Sequence, residues 1–115
     1  MLNRGSVIVH PKQPYIDWAI SLDDSGLVPS TDGERTVYLI PEYESDQEAM
    51  EVLSVCFGEI FALELAGWHL VEDDWPKNRT FAMFQDWFSL ELNSCVEDMC
   101  GYEFYDDGFE TPPAV

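Results

Sequence analysis

The segment Thr36-Val37-Tyr38-Leu39-Ile40 decides the fold class, because it is the clearest strand signal in the chain. Its β-branched and apolar residues run almost without interruption and stop at Pro41, which is typical of a strand buried on both faces. We therefore predict a central strand over residues 35–41. Residues 5–10 form a second predicted strand, in which a β-branched run is stopped by Pro11.

A short helix is predicted between these two strands, over residues 13–22. Pro14 suits its first turn, and the apolar residues that follow recur at three- and four-residue spacing. A helix that joins two strands in this way favours a right-handed β-α-β crossover, and an antiparallel pair is the alternative. The residues from 23 to 33 are rich in Gly, Pro, Ser and Asp and predict a loop.

A long helix is predicted to begin at Ser45, which forms a capping box with Glu48. Apolar residues then repeat at helical spacing as far as Leu65, and Gly67 lies where a left-handed residue would end the helix. Gly58 in mid-helix costs about 1 kcal/mol relative to Ala. We expect it to mark a close helix crossing or a bend.

The segment that follows Thr80 has two interpretations. Apolar residues at helical spacing from Phe81 to Met99 predict a second long helix, whereas the alternation within 88–96 predicts a strand. A helix over Phe84 to Phe88 with a strand in the remainder also stays open. The scarcity of β-branched residues favours the helix. The predicted fold class is therefore α+β, with strands near 5–10 and 35–41, a third strand near 88–96 as the open alternative, two longer helices and one short helix.

Charge separates the chain into two unequal parts within one predicted domain, residues 1–115. The net charge of −18 comes from 23 acids and 5 bases, and residues 45–115 hold sixteen of the acids but only two of the bases. A surface of this sign repels nucleic-acid phosphates and anionic membranes, and it attracts basic protein patches. We therefore expect no direct nucleic-acid binding, no membrane binding and a basic protein partner.

The cysteines and the apolar runs predict a cytoplasmic protein. Three cysteines cannot all pair within one chain, the N-terminus lacks the pattern of a secretory signal, and the most apolar stretch, 52–65, contains two glutamates. Cys56 and Cys95 are predicted on apolar helical faces, where a thiol is inert, and Cys100 is predicted to be exposed. A catalytic thiol paired with His10 or His69 has no local signature.

Two clusters are candidate sites. His69, Glu72 and Asp73, with Asp74 beside them, offer ligands for a divalent cation but lack the spacing of a dedicated metal site. The second cluster lies in an acidic-aromatic tail over 101–115 whose order the sequence leaves open, and its candidate partner-binding residues are Tyr102, Phe104, Tyr105, Asp106, Asp107 and Phe109. Folding of these aromatics back over the core is the alternative.

Several segments resemble a family of short acidic uncharacterised bacterial proteins, and the resemblance spans residues 5–99. It lies in residues 18–23, in 37–42, in Gly67-Trp68 with Trp75-Pro76, and in Phe84 with Trp87-Phe88. The family has no assigned activity, so the resemblance implies a free-standing bacterial domain and imports no catalytic residues or cofactor.

The leading hypothesis is a non-enzymatic acidic interaction protein of the inhibitor, immunity or adaptor type, with no cofactor. One version is nucleic-acid mimicry, which requires the acids to form a continuous stripe on the folded surface. The alternative is a small enzyme or metal-binding protein that uses His69 and the nearby carboxylates. No glycine-rich phosphate loop or serine elbow supports an enzyme.

Overall fold

A computed structural model describes residues 2–23, 25–29 and 35–104 and shows an α+β fold, as predicted. A three-stranded antiparallel sheet is accompanied by three helices and a short 3-10 turn. In chain order the elements are β1 (Arg4–Pro11), α1 (Gln13–Ser21), β2 (Thr36–Pro41), α2 (Asp46–Trp68), the 3-10 turn (Glu72–Asp74), α3 (Phe81–Trp87) and β3 (Phe88–Asn93). Within the predicted loop 23–33, residues 24 and 30–33 lie outside the described residues, and the others have no regular structure.

The sheet has the order β2-β1-β3, so β1 is its central strand. The predicted central position of β2 is wrong, because an apolar run does not distinguish a strand covered on both faces from an edge strand with an apolar outer face. The predicted parallel crossover is also wrong, since β1 pairs antiparallel with β2 in the register Val7 to Tyr38.

The helix α2 begins as predicted and ends later than predicted. Ser45 is its N-cap, and the Ser45 Oγ accepts a hydrogen bond from the Glu48 N–H at 3.1 Å. The helix continues through Trp68 to an extended C-cap at His69 (φ −149°), so the predicted left-handed end at Gly67 is wrong. Gly58 is exposed, and a Cβ there would meet no atom of the described residues within 4 Å, so no described helix crosses closely at this position.

The predicted long helix from Phe81 to Met99 is wrong, and the strand interpretation is confirmed over 88–93. The helix α3 has only seven residues and ends where β3 begins, so the fold has one long helix and two short ones. Phe84 and Phe88 are both buried, in the helix and in the strand respectively, which is why their spacing fits a continuous helix as well. Pairing of β3 with β1 supplies the backbone hydrogen bonds that favour the strand over the helix in this segment.

The core lies between one face of the sheet and the helices. Val7, Val9 and Ile40 from the sheet pack in one cluster with side chains of α2, α3 and the start of β3. At its centre the fully buried Phe61 ring lies 5.8 Å from the Phe84 ring and 5.3 Å from the Phe88 ring, measured between centroids. Across the described ranges, no helix combines the length and the apolar character that a membrane span requires.

Candidate functional site

The acidic side chains of the folded protein point almost entirely to solvent. Among the acids in the described part of the chain, Glu64 alone is half-buried, and the others are exposed. These include Glu42, Glu44 and Glu59, which lie on or beside two surface concavities. The acidity of the sequence is therefore a property of the outer surface.

Four of the five basic side chains bond to neutral oxygens. Arg4 Nη1 donates to the backbone oxygen of Asn3 at 2.9 Å, Lys12 Nζ to Gln85 at 3.2 Å, Lys77 Nζ to Glu72 at 3.3 Å and Arg79 Nη1 to Pro76 at 2.9 Å, each through the backbone carbonyl. Arg79 also lies over the rings of Phe61 and Trp75. Carbonyl groups therefore hold these four cations.

An acidic concavity lies at one end of the sheet. Because β2 and β3 both run antiparallel to β1, their C-terminal ends meet at the same end. The residues that follow them line a concavity of about 350 Å³ together with the first turn of α2: Glu42, Tyr43, Glu44, Glu48 and Ser94. Three carboxylates therefore border this concavity.

Tyr43 fixes the chain at this end. Its ring lies against Gly5 so closely that a Cβ on Gly5 would lie 2.7 Å from the Tyr43 Cδ1, and its hydroxyl donates to the Ser6 backbone oxygen at 2.9 Å. The side chain is buried, and burial raises the pKa of the Tyr43 hydroxyl. With Tyr43 held inward, Glu42 and Glu44 on either side of it are exposed.

An apolar groove runs between β2 and α2. It adjoins the acidic concavity in sequence, because Pro41 lines the groove and Glu42 lines the concavity. It has a volume of about 250 Å³, and we call it the β2 groove; its lining residues are Tyr38, Leu39, Ile40, Pro41, Cys56, Glu59, Ile60 and Leu63. Leu63 is 59% exposed and Leu39 is 48% exposed. Most of the lining residues are apolar, and Glu59 is the acidic residue among them.

The sheet face opposite the core is also apolar where β2 meets β1. Val37 lies beside Ile8 in the sheet register and is 56% exposed, and Leu39 lies beside Ser6. Residues directly opposite each other in a sheet project to the same face. Val37 and Leu39 thus extend the apolar surface of the β2 groove around the edge of the sheet.

Glu64 joins three elements of the core. The Tyr38 hydroxyl donates to the Glu64 carboxylate, and the Tyr15 hydroxyl donates to the Glu64 backbone oxygen at 2.7 Å. Glu64 is half-buried, and Glu59 lies apart from it in the β2 groove. Burial, and then the Glu64 charge, raise the pKa of Tyr15 and Tyr38 well above the ordinary value of 10.0.

Replacement of Tyr38 by Phe should make the protein less sensitive to alkaline pH. A tyrosine whose pKa is raised by folding stabilises the folded state fully below the unfolded pKa of about 10, and this stabilisation is lost as pH rises toward the folded pKa. Urea unfolding from pH 8 to pH 11.5, at pH values chosen to span about 10, should show a steep loss of stability above pH 10 in the parent and a shallower loss in Tyr38→Phe. An unchanged slope would contradict the Tyr38–Glu64 contact.

The predicted metal ligands are not brought together. His69 Nε2 lies 2.8 Å from Asp74 Oδ2, while Glu72 and Asp73 lie in the exposed 3-10 turn. Within the residues that the structure describes, no group of three or more His, Cys, Asp or Glu side chains is arranged to hold a metal ion. The metal site stays a prediction that this geometry does not support.

Two tryptophans hold the loop of residues 69–75, which we call the His69 loop. The Trp75 indole donates to the His69 backbone oxygen at 2.8 Å, and the Trp18 indole donates to the Asp74 backbone oxygen at 3.0 Å. The His69–Asp74 contact closes the same short loop. These bonds indicate that the residues after α2 serve mainly to tie that helix to α1.

The surroundings of the cysteines and histidines differ from those of the catalytic thiol and its base in a thiol enzyme. Cys56 is half-buried in the β2 groove, and burial raises its pKa, which disfavours the reactive thiolate at neutral pH. Cys95 and Cys100 are exposed beyond β3, so the predicted helical position of Cys95 is wrong. His10 lies 3.5 Å from Glu91, so both histidines pair with carboxylates.

The described part of the acidic-aromatic tail is exposed. Tyr102 and Phe104 are 76% and 72% exposed, while Tyr105, Asp106, Asp107 and Phe109 lie outside the described residues. Sequence reasoning missed the acidic concavity and the β2 groove. The alternation of Glu42, Tyr43 and Glu44 after a strand was a usable signal for the first, whereas the edge position of β2 had none.

Comparison with known proteins finds no matching family model, no similar curated protein and no similar solved structure. The resemblance to short acidic bacterial proteins therefore stays a prediction.

Proposed function

We propose that this chain is a non-enzymatic acidic protein that binds a basic protein partner, as an inhibitor, an immunity protein or an adaptor does. The observation that supports it is the surface electrostatics: exposed carboxylates surround a fold in which four of the five basic side chains bond to backbone carbonyl oxygens. A surface of this kind raises the association rate with a positively charged partner and lowers it for nucleic acid and anionic lipid.

We also propose a cytoplasmic location. Three cysteines cannot all pair within one chain, which suits a reducing compartment. The alternative of a small enzyme or metal-binding protein gains no support from His69, because its Nε2 is bound to Asp74. The metal content of the purified protein and of His69→Ala would test that alternative directly.

Affinity capture from a native bacterial lysate should recover a specific basic protein at low salt, and added salt should release it. Surface charge attraction of this kind weakens as the Debye length falls from about 30 Å at 0.01 M to about 8 Å at 0.15 M ionic strength. The captured proteins are identified by mass spectrometry, and polyglutamate on the same resin is the matched control for charge alone. Recovery of the same abundant basic proteins on both resins would contradict the proposal.

A further inference from the structure

We propose that the partner docks on the edge of β2 as an extended segment, with apolar residues against the β2 groove and with Lys or Arg residues beside Glu42, Glu44 and Glu59. This inference rests on the proposed function and deepens it, because it assigns the binding surface and the form of the bound segment. The occupant is a basic strand of another protein.

Within the described residues, the backbone of β2 is open on one side. In the order β2-β1-β3 this strand hydrogen-bonds to β1, and no other described strand pairs with its outer side, where the backbone groups of alternate residues point outward. An exposed edge of this kind is a template for an added strand, whose main-chain hydrogen bonds give affinity. Six residues span about 20 Å, which is enough for a bound segment of similar length.

The two edges of the sheet differ in their outward side chains. On β3, the other edge strand, the exposed residues are the polar Ser89, Glu91 and Asn93. On β2 the corresponding exposed positions are Val37 and Leu39, which are apolar. Edge strands usually carry charged side chains that block pairing, and β2 lacks them. The contrast between the edges points to β2 as the one that receives a partner.

Both faces of a strand added to β2 would find apolar surface. On the open sheet face its side chains would lie next to Val37 and Leu39, and on the core side they would enter the β2 groove beside Ile60 and Leu63. Alternate residues of a strand project to opposite faces. The bound segment should therefore be apolar on both faces over its central residues.

The charges around this edge select a basic partner over a second copy of this chain. Glu59 lines the β2 groove, and Glu42 and Glu44 follow the last residue of β2, where they border the acidic concavity. Pairing of two copies through β2 would bring together two chains that each carry a net charge of −18. A segment with Lys or Arg at the end that lies beside Glu42 and Glu44 meets opposite charge instead, whereas the other end of β2 adjoins Arg35.

A capped peptide with the sequence Lys-Lys-Val-Ile-Val-Ile-Val-Ile-Lys-Lys is the probe, since its central residues are apolar on both faces. Lysines at both ends reach the glutamates whichever way the strand runs. Titration into the isotope-labelled full chain at low salt should shift the backbone amide signals of β2 and leave those of β3 unchanged. A second peptide, N-methylated at every central residue so that neither edge can donate, should bind at least about tenfold more weakly, since it cannot donate the strand hydrogen bonds.

The apolar contacts are tested with Val37→Thr/Leu39→Thr, which keeps the strand propensity and the charge but removes apolar surface. We expect about tenfold weaker peptide binding, measured by fluorescence anisotropy. Leu70→Thr is the matched control, because Leu70 is 81% exposed and lies outside the β2 groove. Its affinity should equal that of the parent, and circular dichroism verifies that each variant is folded.

The local charges are tested with Glu42→Gln/Glu44→Gln/Glu59→Gln, which should weaken binding about tenfold at low salt. Asp73→Asn/Asp86→Asn/Glu103→Gln removes the same number of charges elsewhere on the exposed surface and should have a smaller effect.

Three outcomes would overturn the docking site in different ways. Salt-sensitive binding that is equal in the parent and in Val37→Thr/Leu39→Thr would overturn the β2 site and leave the basic-partner function standing. A parent dimer in sedimentation analysis that becomes monomeric in Val37→Thr/Leu39→Thr would make a second copy the occupant. Failure of the probe and of polylysine to bind at low salt would overturn both the site and the proposed function.

Discussion

Replacing Phe61 by Ala should lower the free energy of unfolding by about 3–5 kcal/mol, the range for a fully buried Phe. The Phe61 side chain has no exposed surface, and its ring contacts Phe84, Trp87 and Phe88 with centroid distances of 5.8, 5.6 and 5.3 Å. The Arg79 guanidinium also lies 5.9 Å from the ring centroid. Truncation therefore leaves a cavity where α2, α3 and β3 meet. Urea unfolding followed by tryptophan fluorescence measures the change.

Phe57→Ala is the matched control for this prediction. Phe57 lies one turn earlier on α2, is half-buried and contacts Phe81 and Phe84 at 5.5 and 6.0 Å. Its truncation exposes the space to solvent and should reduce stability by about 1–3 kcal/mol, as partly buried positions do. An equal or larger loss in Phe57→Ala than in Phe61→Ala would contradict the placement of Phe61 at the centre of the core.

The local signals in this sequence predicted the parts of the fold that depend on neighbouring residues. The start of α2 followed from Ser45 and Glu48, because a capping bond joins residues three apart. The strands at 5–10 and 36–40 followed from β-branched runs bounded by prolines. Each of these interactions is complete within a few residues of the chain.

Features that depend on distant parts of the chain were not predictable in the same way. The end of α3 at Trp87 depends on pairing of the next residues with β1, and Phe88 lies beside Pro11 in that register. Both a helix and a strand would bury Phe84 and Phe88, so burial alone did not decide between them. Long-range backbone pairing with β1 therefore determines that residues 88–93 form a strand.

The candidate docking site illustrates the same limit. The acids that follow Ser45 in the described part of the chain are exposed except for the half-buried Glu64, yet the site we propose depends on which strand forms the edge. A run such as Val37-Tyr38-Leu39 indicates a core strand, and its exposure became apparent only from the strand order. The predicted tail residues and the β2 edge are therefore separate hypotheses about where a partner binds.

Gly5→Ala should destabilise the protein by about 2 kcal/mol, within the range for an overpacked core. The added methyl would lie 2.7 Å from the Tyr43 Cδ1, and Tyr43 cannot move without loss of its 2.9 Å hydrogen bond to the Ser6 backbone oxygen. Alanine is otherwise acceptable in a strand, and Gly5 has no left-handed φ that would require glycine. The contact with Tyr43 is thus the physical reason for glycine at this position.

A double-mutant cycle isolates that contact. Tyr43→Ala alone should be strongly destabilising because it removes a buried aromatic ring, but Gly5→Ala should add little in the Tyr43→Ala background, since the clash has gone. Tyr43→Ala should also weaken binding of the lysine-ended peptide, because Tyr43 holds the connector that carries Glu42 and Glu44. Urea unfolding of the four proteins gives the coupling free energy. An equal effect of Gly5→Ala in both backgrounds would show that Tyr43 does not pack against Gly5, and the acidic concavity would then lack its anchor.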